Sequence, residues 1–191
     1  MQKRSHKLLA ASLLESENGF DARRFELAFL FGSFQPDCNP FSYLKGSVRS
    51  YKLRGHNYSN SQKYINCHID RLQQRSHWSM WQYYTLGKLT HYVADAFTYP
   101  HNENYADSML SHHQYETDLR DYLDGYLSQR NLLRQQTCQD LTAAITALHA
   151  RYMDSVADIR GDVQFILEAT ELLMAACLPQ GGNRPMAVPT A

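Results

Sequence analysis

Two pairs of side chains in this sequence have the types and spacing to hold a metal ion. His91 and Asp95 lie four residues apart, as do His112 and Glu116. On a helix, that separation stacks both side chains on one face, one turn apart. Imidazole nitrogens and carboxylate oxygens grip a divalent cation at about 2.0–2.2 Å, a distance over which two side chains one turn apart can converge. His101 follows Pro100, where a helix must have ended and the chain can turn a further donor back toward the same region. Nitrogen with hard oxygen and no thiolate favours zinc, with iron or manganese the other candidates. Either pair alone is commonplace on helical surfaces. Two within 26 residues, joined by a Pro-His turn, predict a shared cage between antiparallel helices.

The elements that must position these residues read as helices throughout. Apolar residues recur with helical period and no alternating strand pattern stands out. The chain should start a first helix after Ser5 as N-cap. A second, capped by Asp21, should end at Gly32, with a breaker-rich loop following to Pro40. A third should begin near Asn57 to Ser61. The fourth, capped by Ser76, should run from Trp78 to Thr98, and the fifth from Asp107 to Leu127. A sixth is expected from Thr137 to Tyr152 and a seventh from Val156 to Leu178. Leu141, Ile145, Leu148 and Tyr152 on the sixth, with Val163, Ile166, Leu167 and Leu173 on the seventh, should buttress the bundle without contributing ligands. The fold class is therefore all-α, a multi-helix orthogonal bundle. Residues 1–178 should form a single domain and 179–191 a disordered tail.

Composition narrows the function. The 191 residues carry no net charge with histidine neutral, and no basic run supports nucleic-acid binding by bulk electrostatics. Seven of the 9 histidines lie between His56 and His113. The 4 cysteines form no CxxC pair, which argues against a thiolate zinc site and leaves Cys38, Cys67, Cys138 and Cys177 as free, mostly buried thiols. No stretch is long enough to span a membrane. The apolar run Leu8–Leu14 after Lys3, Arg4 and Lys7 reads as an amphipathic first helix rather than a signal peptide, and the expected location is cytoplasmic.

At these residues the sequence resembles the zinc-dependent phospholipase C family, whose relatives include the S1/P1-type nucleases. The pattern His-x3-Asp, a His six residues later, then His-x3-Glu corresponds to His91, Asp95, His101, His112 and Glu116. Gly32-Ser33-Phe34-Gln35-Pro36-Asp37 is similar to the segment that supplies an aspartate, and Arg54-Gly55-His56-Asn57-Tyr58 to one that supplies a histidine. His6 fits an N-terminal ligand. The resemblance implies one zinc position held by Asp37, His56, His91 and a bridging Asp95, and a second by His101, His112 and Glu116. A third would take His6, the other oxygen of Asp95 and a free amino terminus. The residues before His6 lack the Trp that opens the secreted enzymes, so two or three Zn2+ ions are expected. The implied activity is hydrolysis of a phosphodiester or phospholipid head group by metal-activated water, since zinc brings the pKa of bound water to about 7. With Asp37, Asp95 and Glu116 each negative, two or three zincs leave the site net positive and attractive to phosphate. The resemblance also gives Asp37 a double role, facing a metal and orienting water.

Two other readings stay open at this point. A non-catalytic, metal-stabilised helical module that binds a partner would need closed four-coordinate sites. A single-strand nuclease would need exposed aromatic platforms, and Trp78, Trp81, Tyr83 and Tyr84 could serve, although helical spacing assigns them to the core. Gly87, inside the fourth helix, should mark a close approach of two backbones.

Overall fold

The computed structural model describes residues 1–38, 58–102, 109–129 and 138–179. Among the described residues there are seven α-helices, one short 3-10 turn and no strand: α1 (Lys3–Ser16), α2 (Arg23–Cys38), α3 (Tyr58–Gln73), α4 (Met80–Ala96), the turn Tyr99–His101, α5 (Met109–Gln129), α6 (Leu141–Met153) and α7 (Ile159–Cys177). One apolar cluster runs through all seven helices, with Leu9 and Leu13, Phe29, Ile65 and Ile69, Leu86 and Leu89, Leu119 and Leu123, Leu141 and Ile166 completely enclosed. The all-α expectation holds. None of the described helices is long and apolar enough to cross a membrane.

α4 lies at the centre, packed on α1, α2, α3 and α7. Ser79 caps it, accepting from Trp81 N in a capping box with Gln82, so the helix starts at Met80 rather than after Ser76. Asp140 and Asp158 cap α6 and α7 in the same manner, which places those starts three to four residues later than the periodicity alone suggests. At the first helix the difference runs the other way. α1 begins at Lys3 and takes Ser5 into its buried face.

The largest departure from expectation is at α2, which passes through Gly32 and Pro36 and continues to Cys38. Gly32 does not stop the helix because it is the contact point with α4. A Cβ there would collide with the Tyr84 carbonyl, and one on Gly87 would collide with the Phe29 carbonyl. The two glycines let the backbones of α2 and α4 touch, and this packing outweighs the helix-breaking preferences of Gly and Pro. Asp37 consequently sits on the last turn of a helix, not in a loop.

The cysteines are free as expected, but only Cys177 is buried; Cys38 and Cys67 are exposed. Tyr83 joins the core, whereas Trp81 is 72% exposed. His56 and the tail from 180 onward fall outside the described residues.

Candidate metal centre

The site lies where α1, α2, α4, the 99–101 turn and α5 converge. Six donors fall into two groups whose ligand atoms lie within 4.8 Å of one another: buried His6, His91 and Asp95, and half-buried His101, His112 and Glu116. Asp95 joins the groups. Its Oδ1 is 3.2 Å from His6 Nε2, while its Oδ2 is 3.3 Å from His91 Nε2 and 3.9 Å from His101 Nδ1. Glu116 Oε1 is 3.2 Å from His101 Nε2 and 3.3 Å from His112 Nε2. Asp37 Oδ1 approaches the cluster at 3.7 Å from His91 Nε2. The two four-residue pairs thus meet through His101 and Asp95. They do not meet by α4 and α5 running side by side, because α5 packs chiefly on α7 and α1.

Orientation is set from outside the cluster. His91 Nδ1 lies 3.0 Å from the Ser33 carbonyl. A carbonyl only accepts, so Nδ1 carries the hydrogen and Nε2 presents its lone pair to Asp37 and Asp95. The close α2–α4 contact at Gly32 and Gly87 is what brings Ser33 and Asp37 to His91. His113, next to His112, is exposed and points elsewhere, as the 100° step of a helix requires.

The electrostatics of this cluster are those of donors in search of a cation. His6 stacks on His91 with ring centroids 3.8 Å apart, and neither of its ring nitrogens makes a hydrogen bond. Burial and the neighbouring His91 push the His6 pKa down to about 3, so the ring is neutral near neutral pH. Burial also lowers His101. Burial alone would raise Asp95, but the amino terminus, His101, His91 and His6 overcome it and hold the carboxyl well below its usual range. Glu116 is likewise lowered, by His101, His112 and the amino terminus against its burial. The ammonium of Met1 stands 2.7 Å from Asp95 Oδ1, 2.9 Å from His101 Nε2 and 3.1 Å from Glu116 Oε1, a positive group cradled by the donors of both clusters. Imidazole nitrogens with carboxylate oxygens and no thiolate fit zinc.

Residues 5–159 match the family described as zinc dependent phospholipase C. The chain belongs to this family. Curated proteins and solved structures gave no match. The family assignment agrees with the all-helical fold and with zinc as the metal.

Several positioning residues of this phospholipase C family member escape any spacing argument. Asp162 on α7 is fully buried. It accepts from Tyr99 N at 2.8 Å, Tyr115 OH at 2.9 Å and Tyr152 OH at 2.7 Å. Tyr99 opens the turn that carries His101, and Tyr115 precedes Glu116. On the other side of the turn, Asn102 donates to the carbonyls of Ala96 and Thr98, and its oxygen takes a hydrogen from His149 Nε2 at 3.1 Å. The C-terminal helices therefore carry no ligand yet grip the His101 turn from both sides. Their trace in the sequence is slight: Asp162 stands before Val163, Ile166 and Leu167 at the start of the largely apolar buried face of α7.

Proposed function

We propose that this protein is a zinc-dependent hydrolase of phosphate esters, a phosphodiesterase acting on a phospholipid head group or a related small phosphodiester. Residues 1–178 are proposed to work as one unit. His6, Asp37, His91, Asp95, His101, His112 and Glu116 are proposed as the metal ligands, with His56 added by the family motif. The observation that carries the reading is Asp95: a fully buried carboxylate offering one oxygen to His6 and the other to His91 and His101, the placement required of a bridge between metal positions.

Bound zinc would supply Lewis acidity toward the phosphoryl oxygens and make water ionisable near neutral pH. The chain's own residues do the rest. Ser33 fixes the His91 tautomer through its carbonyl, which keeps Nε2 available as a donor. Asp37, partly exposed at the rim, can accept a proton from an attacking water. Asp162 and Asn102 hold His101 in register. The second cluster, whose side chains are 14–27% exposed, supports an open hydrolytic site over the closed coordination of a structural metal module.

The test combines metal analysis with turnover. Protein purified without chelator should contain at least two zinc equivalents, lose hydrolysis of a chromogenic phosphodiester on chelation, and recover it with zinc. A fully zinc-loaded protein that turns over no phosphodiester would refute the hydrolase reading.

A further inference from the structure

The face formed by α2 and α4 away from the core carries an unusual surface. Leu27 and Phe31, one turn apart on α2, are 53% and 51% exposed, and Met80 and Trp81 at the start of α4 are 48% and 72% exposed. Aromatic contacts join Phe31 to Trp81. Phe31 packs on Phe34 with centroids 5.5 Å apart and on Tyr84 at 6.0 Å, and Tyr84 meets Trp81 at 6.0 Å. Phe34, Phe31, Tyr84 and Trp81 form one continuous strip, with Leu27 and Met80 exposed on the same two helices. Large exposed apolar residues scattered singly need no explanation, but a connected strip marks a contact surface.

Cations border the strip. Lys7 and Lys3 from α1 sit over the Phe34 ring at 4.4 and 5.1 Å, and Lys88 lies 5.9 Å from Tyr84. Beyond Thr85 and Gln82, on the α3 side of α4, an open groove is lined by Arg71, Arg75, His68 and His77, with no acidic residue. The mixture separates two kinds of partner. Interfaces between proteins exclude lysine from their aromatic centres, whereas a lipid surface takes Trp, Tyr and Phe at the head-group level and Lys and Arg against anionic phosphates.

We propose that the α2–α4 face is an adsorption surface for lipid bilayers containing anionic lipids. Leu27, Phe31, Met80 and Trp81 enter the head-group boundary, and Lys3, Lys7, Lys88 and the α3 groove meet the negative surface. The strip ends at Phe34, one turn before Asp37 on the same helix, so adsorption brings the candidate metal centre to the edge of the bilayer. Adsorption itself needs no hydrolysis and stands apart from the proposed activity.

Co-sedimentation of the full chain with phosphatidylcholine vesicles, with and without phosphatidylserine, tests the surface. Binding should appear with phosphatidylserine, weaken as salt rises, and fall about 10-fold or more in the double variant Phe31→Ala/Trp81→Ala. Lys3→Gln/Lys7→Gln should reduce binding only where phosphatidylserine is present. All four positions are at the surface, so an unchanged melting temperature will show that each variant is folded. In wild type, tryptophan emission should shift to the blue on vesicles, and Trp81→Phe should abolish the shift. Equal binding by wild type and the double variant, or no partition onto anionic vesicles, overturns the proposal. So does self-association that the aromatic variant abolishes in the absence of lipid. Vesicle binding by a protein that hydrolyses no phosphodiester sustains this surface while refuting the hydrolase reading.

Discussion

Two aspartates, Asp95 on α4 and Asp162 on α7, are equally withdrawn from water, at 1% and 0% exposure, yet the protein treats them in opposite ways. Asp95 is ringed by His6, His91, His101 and an ammonium, and its carboxyl is held well below the ordinary range. Asp162 is ringed by two phenols and a backbone N–H. Burial dominates there, and its pKa is pushed up to about 6 even though all three donors pull it down. Burial penalises a charge in both places, and only the partners differ. Imidazole nitrogens gathered around a carboxylate make a donor set that suits a cation. Hydroxyls and amides around a carboxylate satisfy it and lock three elements together. The first arrangement is suited to chemistry and the second to positioning.

The comparison can be broken at either aspartate. The largest effect is expected from Asp95→Asn. Losing the shared oxygen should remove more than one zinc equivalent per chain, read by elemental analysis, and lower phosphodiester turnover about 10^3-fold or more. Full metal stoichiometry in that variant would contradict the bridge. Asp162→Ala should leave Tyr115 OH, Tyr152 OH and Tyr99 N without their acceptor and cost about 2–4 kcal/mol of stability. Asp162→Asn, which keeps one acceptor oxygen, should cost less in the same denaturant titration. Chelation of the wild-type protein should lower the melting temperature, since the His6–Asp95 and His91–Asp95 contacts would then face one another without a cation.

Smaller effects sharpen the role of packing and of the second network. Gly87→Ala forces a Cβ onto the Phe29 carbonyl and should cost about 3 kcal/mol. Gly125→Ala on α5, where nothing lies within 4 Å, should stabilise by about 0.5–1 kcal/mol. Burial pushes the His149 pKa down to about 4. Below pH 6.5 the unfolded chain takes a proton on this ring that the folded chain refuses until about pH 4, so stability is lost as pH falls across that window. His149→Gln should flatten this part of the stability profile, measured by thermal unfolding from pH 4 to 7, and a slope identical to wild type would place the proton elsewhere.

The sequence by itself determined the helical class and named the candidate donors. A period near 3.6 needs only local information, and a His one turn from a carboxylate is a local fact. This is why His91–Asp95 and His112–Glu116 could be read directly, and His101 from its place after Pro100. Helix ends were less legible. Ser5 and Ser76 had cap chemistry but were not used, since Ser5 was drawn into the core and Ser79 with Gln82 formed the better cap. Tertiary structure alone decided the course of α2. Gly32 and Pro36 are breakers in isolation, and only contact with Gly87 on α4 makes the helix continue and delivers Ser33 and Asp37 to His91. It alone also found work for Asp162, Asn102 and His149, whose partners lie 47 or more residues away for every contact between α6 or α7 and the His101 turn. No spacing rule reaches that far, because the reason a buried polar group is tolerated lies in which distant donors and acceptors the fold brings to meet it.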